Sequence, residues 1–336
     1  MTALFRPAKK GDLEDFMMLG ASAGPGITSI THDSIVLEKR LALSETAFTS
    51  DPIQAEESHY LFALEIEGIV VGMSGIASRI ATKRPFYAYH IHHSEHRCET
   101  LHVRKTIDSL HFIQARKKPT EIGSLYLSKE KRGKHLGKLL SFGRFLFMAS
   151  FPIRFDSTII AEMRGVSDAE GRSPFWEAIG RPFFGISFKE ADDMRTQHPE
   201  CIKDLFPKHP IYPLLLPKEA QECIGVTHPN TLPARKILEK EGFKTSEYID
   251  IFDGGPHLYA KKESVHSFKE SKVAKVAEIK ETIAESAEGI LCNGRLDFRA
   301  VYAPVQLFSR ESACISSEVA DALEISTGDS IRYALY

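Results

Sequence analysis

Residues Ile122 to Leu140, IGSLYLSKEKRGKHLGKLL, constrain this chain more than any other stretch, because an apolar strand runs into a basic, glycine-containing turn that opens directly into a helix. Ser124 to Leu127 reads as the strand. Lys129 to Gly137 supplies the positive side chains, and Leu136, Leu139 and Leu140 begin a helical apolar stripe. Amides at a helix start are unpaired and carry partial positive charge, so Arg132, Gly133 and the first helical turn can hold a pyrophosphate. Taken alone, the segment also reads as a solvated basic turn ahead of an amphipathic helix.

A chain of 336 residues is too long for one small core and predicts two domains or a duplicated one. With 43% hydrophobic and 26% charged residues it has the composition of an ordinary globular protein. A net charge of −2 provides no basic field for nucleic acid or an anionic membrane surface, so small molecules are the expected partners. The five cysteines, Cys98, Cys201, Cys223, Cys292 and Cys314, lie far apart with no C-x-x-C pair and read as reduced thiols. No run approaches the ~20 apolar residues that span a bilayer, and the opening residues lack the apolar stretch of a signal peptide. A cytoplasmic enzyme is expected.

Along the chain, Leu4 to Arg6 predicts a strand, Gly11-Asp12 caps a helix through Leu19, and a turn at Ala23-Gly24-Pro25-Gly26 precedes a helix from Asp33 to Ala47. Alternation from Tyr60 to Ile66, the pair Glu67-Gly68 and the run Ile69 to Gly72 predict a hairpin with a two-residue turn. Strands at 122–128 and 158–163, and helices at 137–149 and 174–179, complete a mixed sheet flanked by helices. Ser173 to Phe183 can be laid beside Leu232 to Phe243 as two copies of helix, glycine and aromatic-led strand, which suggests a degenerate second half. Ser264 to Ser286 reads as a helix or charged connector. The tail returns to strands at Leu296–Val301 and Ile331–Leu335, around a capped helix from Ser316 to Leu323. The expected division is 1–200 and 201–336.

The turn Arg132-Gly133-x-x-x-Gly137 is similar to the R-x-x-G-x-G turn with which acetyltransferases of the GNAT superfamily hold coenzyme A, with His135 where a glycine usually stands. Longer strings carry a more specific resemblance: Ala161-Glu162-Met163-Arg164-Gly165-Val166, Ser173-Pro174-Phe175-Trp176, Pro207-Lys208-His209-Pro210, Val226-Thr227-His228-Pro229, and Tyr248 to Pro256 with its Asp253-Gly254-Gly255-Pro256 end. Together they resemble the arginine N-succinyltransferase family of bacterial arginine catabolism over effectively the whole chain. A second departure is the histidine-rich stretch His90, His92, His93, His96, His102 and His111.

The resemblance implies an α+β, GNAT-like acyl-CoA N-acyltransferase fold with a second degenerate half and a β-rich tail. It also implies transfer of succinyl from succinyl-CoA to the α-amino group of L-arginine. An amine attacks a thioester only when neutral, so the site must move a proton, stabilise an oxyanion and reprotonate the thiolate. His228 matches the family's proton donor; without the resemblance it reads as a residue packed ahead of Pro229. Leu125 matches the family's succinyl-CoA contact, and the backbone of Leu125, Tyr126 and Leu127 is expected to pair with the pantetheine arm, with Arg132, Gly133 and Gly137 on the phosphates. Leu125 equally reads as core. The substrate guanidinium calls for carboxylates, and Glu162, Asp250 and Asp253 are the candidates, with turn formation or ion pairing as their alternatives. Arg164 or the Gly24-Pro25-Gly26 turn would receive the succinyl carboxylate.

The histidines lack the spacing of a zinc site, and Cys98 has no adjacent base, so neither metal nor a covalent intermediate is expected. Two rival readings stand: the same machinery acting on ornithine or another amino acid or acyl-CoA, and a CoA-binding partner subunit without activity of its own. A homodimer or a heteromer with a paralogue is the expected assembly.

Overall fold

The first strand, β1 (Leu4–Pro7), leads through α1 (Leu13–Ala23) and α2 (Ser34–Thr49), whose start is capped by Asp33 accepting from the amides of Ile35 and Val36. A hairpin of β2 (His59–Ile66) and β3 (Ile69–Ala77) turns at Glu67 and Gly68, both at positive φ (54° and 80°), as a two-residue turn requires. A long hairpin, β4 (Tyr87–Cys98) and β5 (Val103–Gln114), precedes β6 (Thr120–Leu127), α3 (Leu136–Ser150) and β7 (Thr158–Glu162). Helices follow: α4 (Pro174–Ile179), α5 (Arg181–Phe184), α6 (Phe188–Gln197), α7 (Glu200–Leu205), α8 (Lys218–Cys223) and α9 (Leu232–Lys240). Then come β8 (Lys244–Ile249), β9 (Pro256–Lys261), α10 (His266–Glu270), β10 (Lys272–Lys280), β11 (Ala287–Cys292), β12 (Ala300–Ser309), β13 (Ser312–Ser316), α11 (Ser317–Leu323) and β14 (Ser330–Leu335). The computed structural model describes the chain except residues 1, 24–29, 31, 51–56, 83–84, 116, 134 and 284–285. The turn expected at Gly24-Pro25-Gly26 lies outside the described residues.

These strands form one sheet of 14 in the order β11-β14-β10-β13-β12-β1-β2-β3-β6-β7-β9-β8-β4-β5. Among the described residues, only β6–β7 and β10–β13 pair in parallel. Because β11 also pairs with β12, residues 272–335 close into a small ring of strands around Val276, Leu291, Val305 and Ile315. Strands from either side of residue 200 share the rest of the sheet, β7 pairing with β9 from Thr158↔Lys261 to Glu162↔His257, so the sheet does not break at the expected boundary.

Three local expectations are corrected. Within Ser264 to Ser286, residues 272–280 form a strand rather than a helix or connector, because Ala274 and Val276 point inward and find partners on β13 and β14. The segment after Gly180 is the helix α5, not a strand. Gly180 is itself helical, and a Cβ there would stand 2.1 Å from the Trp176 ring, so packing explains this glycine. Finally, Leu296 to Arg299 precedes β12 as a turn, with Asn293 Oδ1 accepting from the amides of Arg295 and Arg299.

Helix α3 is the centre of the main core. Leu139, Leu140, Phe145, Leu146 and Phe147 are fully buried against Phe5, Phe62 and Phe298, and a helix apolar on nearly every side can exist only with neighbours all round it.

Candidate active site

The parallel pairing of β6 and β7 covers only Thr120↔Ile159 and Glu121↔Ile160. Past Glu121 the strands part, and a cleft of about 640 Å3 opens between them. At this point β6 carries a bulge: Gly123 pairs with Gly75 and Tyr126 with Met73, so Ser124 and Leu125 together face the single residue Ser74. Ser124 takes a left-handed φ of 51°, and Arg40 of α2 donates to its Oγ at 3.1 Å, fixing the bulge from the α2 side. A bulge leaves one residue of the strand outside the ladder, and here that happens at the mouth of the cleft.

One side of the cleft is basic. Leu125, Tyr126 and Leu127 of β6 border it together with Lys129, Arg132, Gly133 and Gly137, while Pro233, Ala234 and Ile237 of α9 form the facing wall. Gly133 sits at φ 110°, a conformation that side chains rarely adopt. His135 precedes α3 at φ 63°, and among the described residues no side chain caps the helix start. Its ring lies flat on Tyr302 of β12.

The opposite side is acidic, and most of its acids are already occupied. Arg195 of α6 donates to Glu162 Oε2 at 3.1 Å and to Asp250 Oδ2 at 3.2 Å. Burial works against the Arg195 charge, but Glu162, Asp250 and Asp192 outweigh it and raise its pKa. Asp250 also accepts from the amides of Phe252 and Asp253, and Asp253 accepts from the amides of Gly165 and Gly255. Burial, then the Asp250 carboxylate, push Asp253 up to about 8. Among the described residues, Glu162 Oε1 is buried and makes no hydrogen bond, and it faces His257 Nε2, which also makes none, at 3.5 Å. Glu121 stands nearby, its carboxyl pushed up to about 8 by burial and by Glu162, against Arg195 and Arg40.

Ten of the eleven residues singled out from the sequence therefore border one cleft, Glu162, Arg164, Asp250 and Asp253 among them. His228 stands just behind its wall, where Asn230 and Thr231 are the lining residues. The His228 amide donates to the Arg164 carbonyl at 2.8 Å, and its Nδ1 accepts from the Asn230 amide at 3.1 Å, which leaves the ring proton on Nε2 in the neutral form. Burial, then the Arg164 charge, lower its pKa, against a Ser167 backbone contact. Arg164 Nη2 donates to Ser167 Oγ at 2.7 Å.

Glu121, Arg144 and Arg195 also border the cleft and were not singled out. Arg144 had a legible signal, as the one charge inside the apolar run LLSFGRFLFMA. Arg195 had none, since it lies in the polar helix FKEADDMRTQ. The histidines of β4 and β5 spread along their hairpin, with His93 held between Asp108 (2.6 Å) and Glu247 (3.0 Å). Among the described residues no three His, Cys, Asp or Glu side chains converge as a metal site. No described helix is long and apolar enough to cross a membrane.

A parallel strand pair that splays beside a bulge, next to a basic turn and a buried helix, is the arrangement expected of a GNAT-like fold. Residues 3–267 match the family described as arginine N-succinyltransferase beta subunit, and residues 272–334 match that subunit's C-terminal domain. The chain belongs to the arginine N-succinyltransferase family. A protein named arginine N-succinyltransferase from Enterobacter sp. (strain 638) is 35% identical over 98% of this chain and 96% of its own length. Its counterpart from Escherichia coli (strain 55989 / EAEC) is 34% identical over the same shares. A solved structure, described as subunit AI of arginine/ornithine succinyltransferase from Pseudomonas aeruginosa, is 33% identical with a TM-score of 0.90, covering 99% of this chain and 98% of that one.

Proposed function

We propose that this chain transfers succinyl from succinyl-CoA to the α-amino group of L-arginine, giving N2-succinyl-L-arginine and free CoA. The observation that carries the reading is the polarity of the cleft, with cations and a bulged strand on one side and carboxylates with unused capacity on the other. The pantetheine arm pairs with the β6 backbone at Leu125 to Leu127, and Arg132, Gly133 and Gly137 meet the phosphates. The bulge at Ser124–Leu125 offers a backbone N–H to the thioester oxygen as it becomes an oxyanion.

On the acidic side, Glu162 Oε1 and Glu121 accept the substrate guanidinium, while Asp250 and Asp253 shape the wall and Arg164 offers a cation to a substrate carboxylate. The neutral amine attacks the thioester carbon, the attacking nitrogen gives up a proton, the C–S bond breaks, and the departing thiolate takes a proton. His228, neutral at pH 7 and beside Arg164, is the proton-transfer residue, reached by a short movement of the Asn230–Thr231 wall or through one water.

The name of the P. aeruginosa relative couples arginine with ornithine, so ornithine is the competing amine. The relatives' description as subunits supports a homodimer or a heteromer with a paralogue, and the five free cysteines suit the cytoplasm. The test is thiol release from succinyl-CoA with arginine, with ornithine and without amine, for the wild type and His228→Ala. Arginine-dependent release that falls at least ~100-fold in the variant supports the reaction and the residue. Binding of succinyl-CoA without release for any amine overturns the stand-alone enzyme in favour of a partner subunit.

A further inference from the structure

Arg144 is the least explained side chain of the cleft. It lies inside α3 and is 1% exposed, yet it borders the cavity. Its guanidinium finds only neutral acceptors: Nε donates to the Ser141 carbonyl at 3.2 Å, Nη2 to Ser141 Oγ at 3.1 Å and Nη1 to the Gly123 carbonyl at 3.4 Å. Among the described residues no carboxylate pairs with it, and burial alone pushes its pKa down, to about 9. The other arginines of the inner cleft differ. Arg195 is bound by Glu162 and Asp250, and Arg164 lies beside Asp253. A guanidinium taken out of water without an anion is costly, and an apolar residue of similar size would fit a core helix better. Such a group makes physical sense where an anion arrives with the ligand.

The position of Arg144 says which anion. Its Nη1 contact, Gly123, immediately precedes the Ser124–Leu125 bulge where the thioester is placed, whereas Lys129 and Arg132, suited to the phosphates, follow the end of β6. An anion that reaches Arg144 from the bulge therefore extends from the acyl side of the thioester. We propose that Arg144 selects the acyl group, its guanidinium receiving the far carboxylate of a dicarboxylic acyl chain and rejecting a monocarboxylic chain of the same length. The inference rests on the acyltransferase reading above. It moves the acyl carboxylate from Arg164 or the Gly24-Pro25-Gly26 turn, which the sequence suggested, to a cation that no carboxylate among the described residues pairs with. A site built around a buried charged donor discriminates strongly against a ligand that lacks the acceptor, because the donor is then left unpaired.

The test compares succinyl-CoA with butyryl-CoA as donors to arginine, using wild type, Arg144→Met and Arg144→Lys. The expected result is a fall in kcat/KM for succinyl-CoA of ~100-fold or more in Arg144→Met, an unchanged or higher value for butyryl-CoA, and partial recovery of the succinyl preference in Arg144→Lys. A parallel fall for both donors, or an unchanged ratio, overturns the role of Arg144 and assigns it to packing. If the wild type itself uses neither donor, the acyltransferase reading fails instead. Should both variants fail to fold, a structure of the wild type with a non-transferable succinyl-CoA thioether decides: the terminal carboxylate within ~3.2 Å of an Arg144 Nη atom supports the assignment, and a carboxylate bound elsewhere overturns it.

Discussion

The His135 ring stacks on the Tyr302 ring with centroids 4.4 Å apart and planes 7° from parallel, joining the basic turn ahead of α3 to a strand of the C-terminal ring. His135 is held at φ 63°, a left-handed conformation that costs a residue with a Cβ about 1–2 kcal/mol. A stacked aromatic pair contributes about 0.5–1.5 kcal/mol, so contact and strain nearly cancel. The residue that looks like a departure from a glycine-bearing turn is thus tied down from another part of the fold.

That balance predicts that His135→Gly leaves stability within about 1 kcal/mol of the wild type, since relief of strain offsets the lost stacking. Tyr302→Leu removes the stacking and keeps the strain, and should cost about 1 kcal/mol. Adding His135→Gly to Tyr302→Leu should then recover stability. Urea midpoints of the four proteins check the cycle; a loss above ~2 kcal/mol for His135→Gly alone would mean that the turn needs the ring.

Arg195 is predicted to hold the acidic wall together. Arg195→Met leaves Glu162 and Asp250 partly buried and facing each other without a cation, which should destabilise the protein by about 3–5 kcal/mol. Glu162→Gln in the same chain should recover part of that loss. Thermal denaturation of both single variants and the double variant measures the coupling, and strictly additive losses would show that the pair is not coupled.

What the sequence made legible, and what it did not, follows from the range of each interaction. The β2–β3 hairpin and α3 are written locally, in alternation, in Glu67-Gly68 and in an apolar run, and both form as expected. Arg132 was legible in the strand, basic turn and helix pattern itself, whereas Leu125, Glu162 and Asp253, which border the same cleft, came through strings with strong family resemblance. Residues 272–280 misled because their charges suggested a solvated helix, while the partners that make them a strand lie at 312–316 and 330–333. Arg195 was invisible for the same reason: its partners Glu162 and Asp250 are 33 and 55 residues away, and nothing in its own helix marks it.

Glu121 carries a pH prediction. Its carboxyl rises from an ordinary value of 4.5 to about 8 in the fold, so between those values the folded state holds a proton that the unfolded chain has released. Stability contributed through this group therefore falls as pH rises from about 4.5 to about 8. A bound guanidinium favours the ionised form, so arginine should bind with proton release, and more tightly as pH rises towards about 8. Calorimetry in buffers of different ionisation enthalpy measures the released proton. Glu121→Gln should abolish it, and an unchanged proton count in that variant would remove Glu121 from the guanidinium site.

Asp253 is followed in sequence by Gly254 and Gly255 and meets Gly165 in space. Its two carboxylate oxygens accept from the amides of Gly165 (2.7 Å) and Gly255 (2.8 Å), which ties the chain beyond β7 to the turn ahead of β9. A Cβ at Gly165 would stand 2.3 Å from the Asp253 carbonyl, and one at Gly255 would stand 2.1 Å from the Met163 carbonyl; backbone on both sides leaves no flexible group to yield. Gly255→Ala should therefore separate β7 from β9 at the floor of the cleft, costing at least ~3 kcal/mol and most activity. Asp253→Asn keeps the shape but turns an amide donor towards a backbone donor, and should cost about 1–3 kcal/mol. Gly137→Ala is the control: it also borders the cleft, has nothing within 4 Å of its Cβ position, and should fold as well as the wild type. Equal stability of Gly255→Ala and Gly137→Ala would mean that the close approach at Met163 relaxes without consequence.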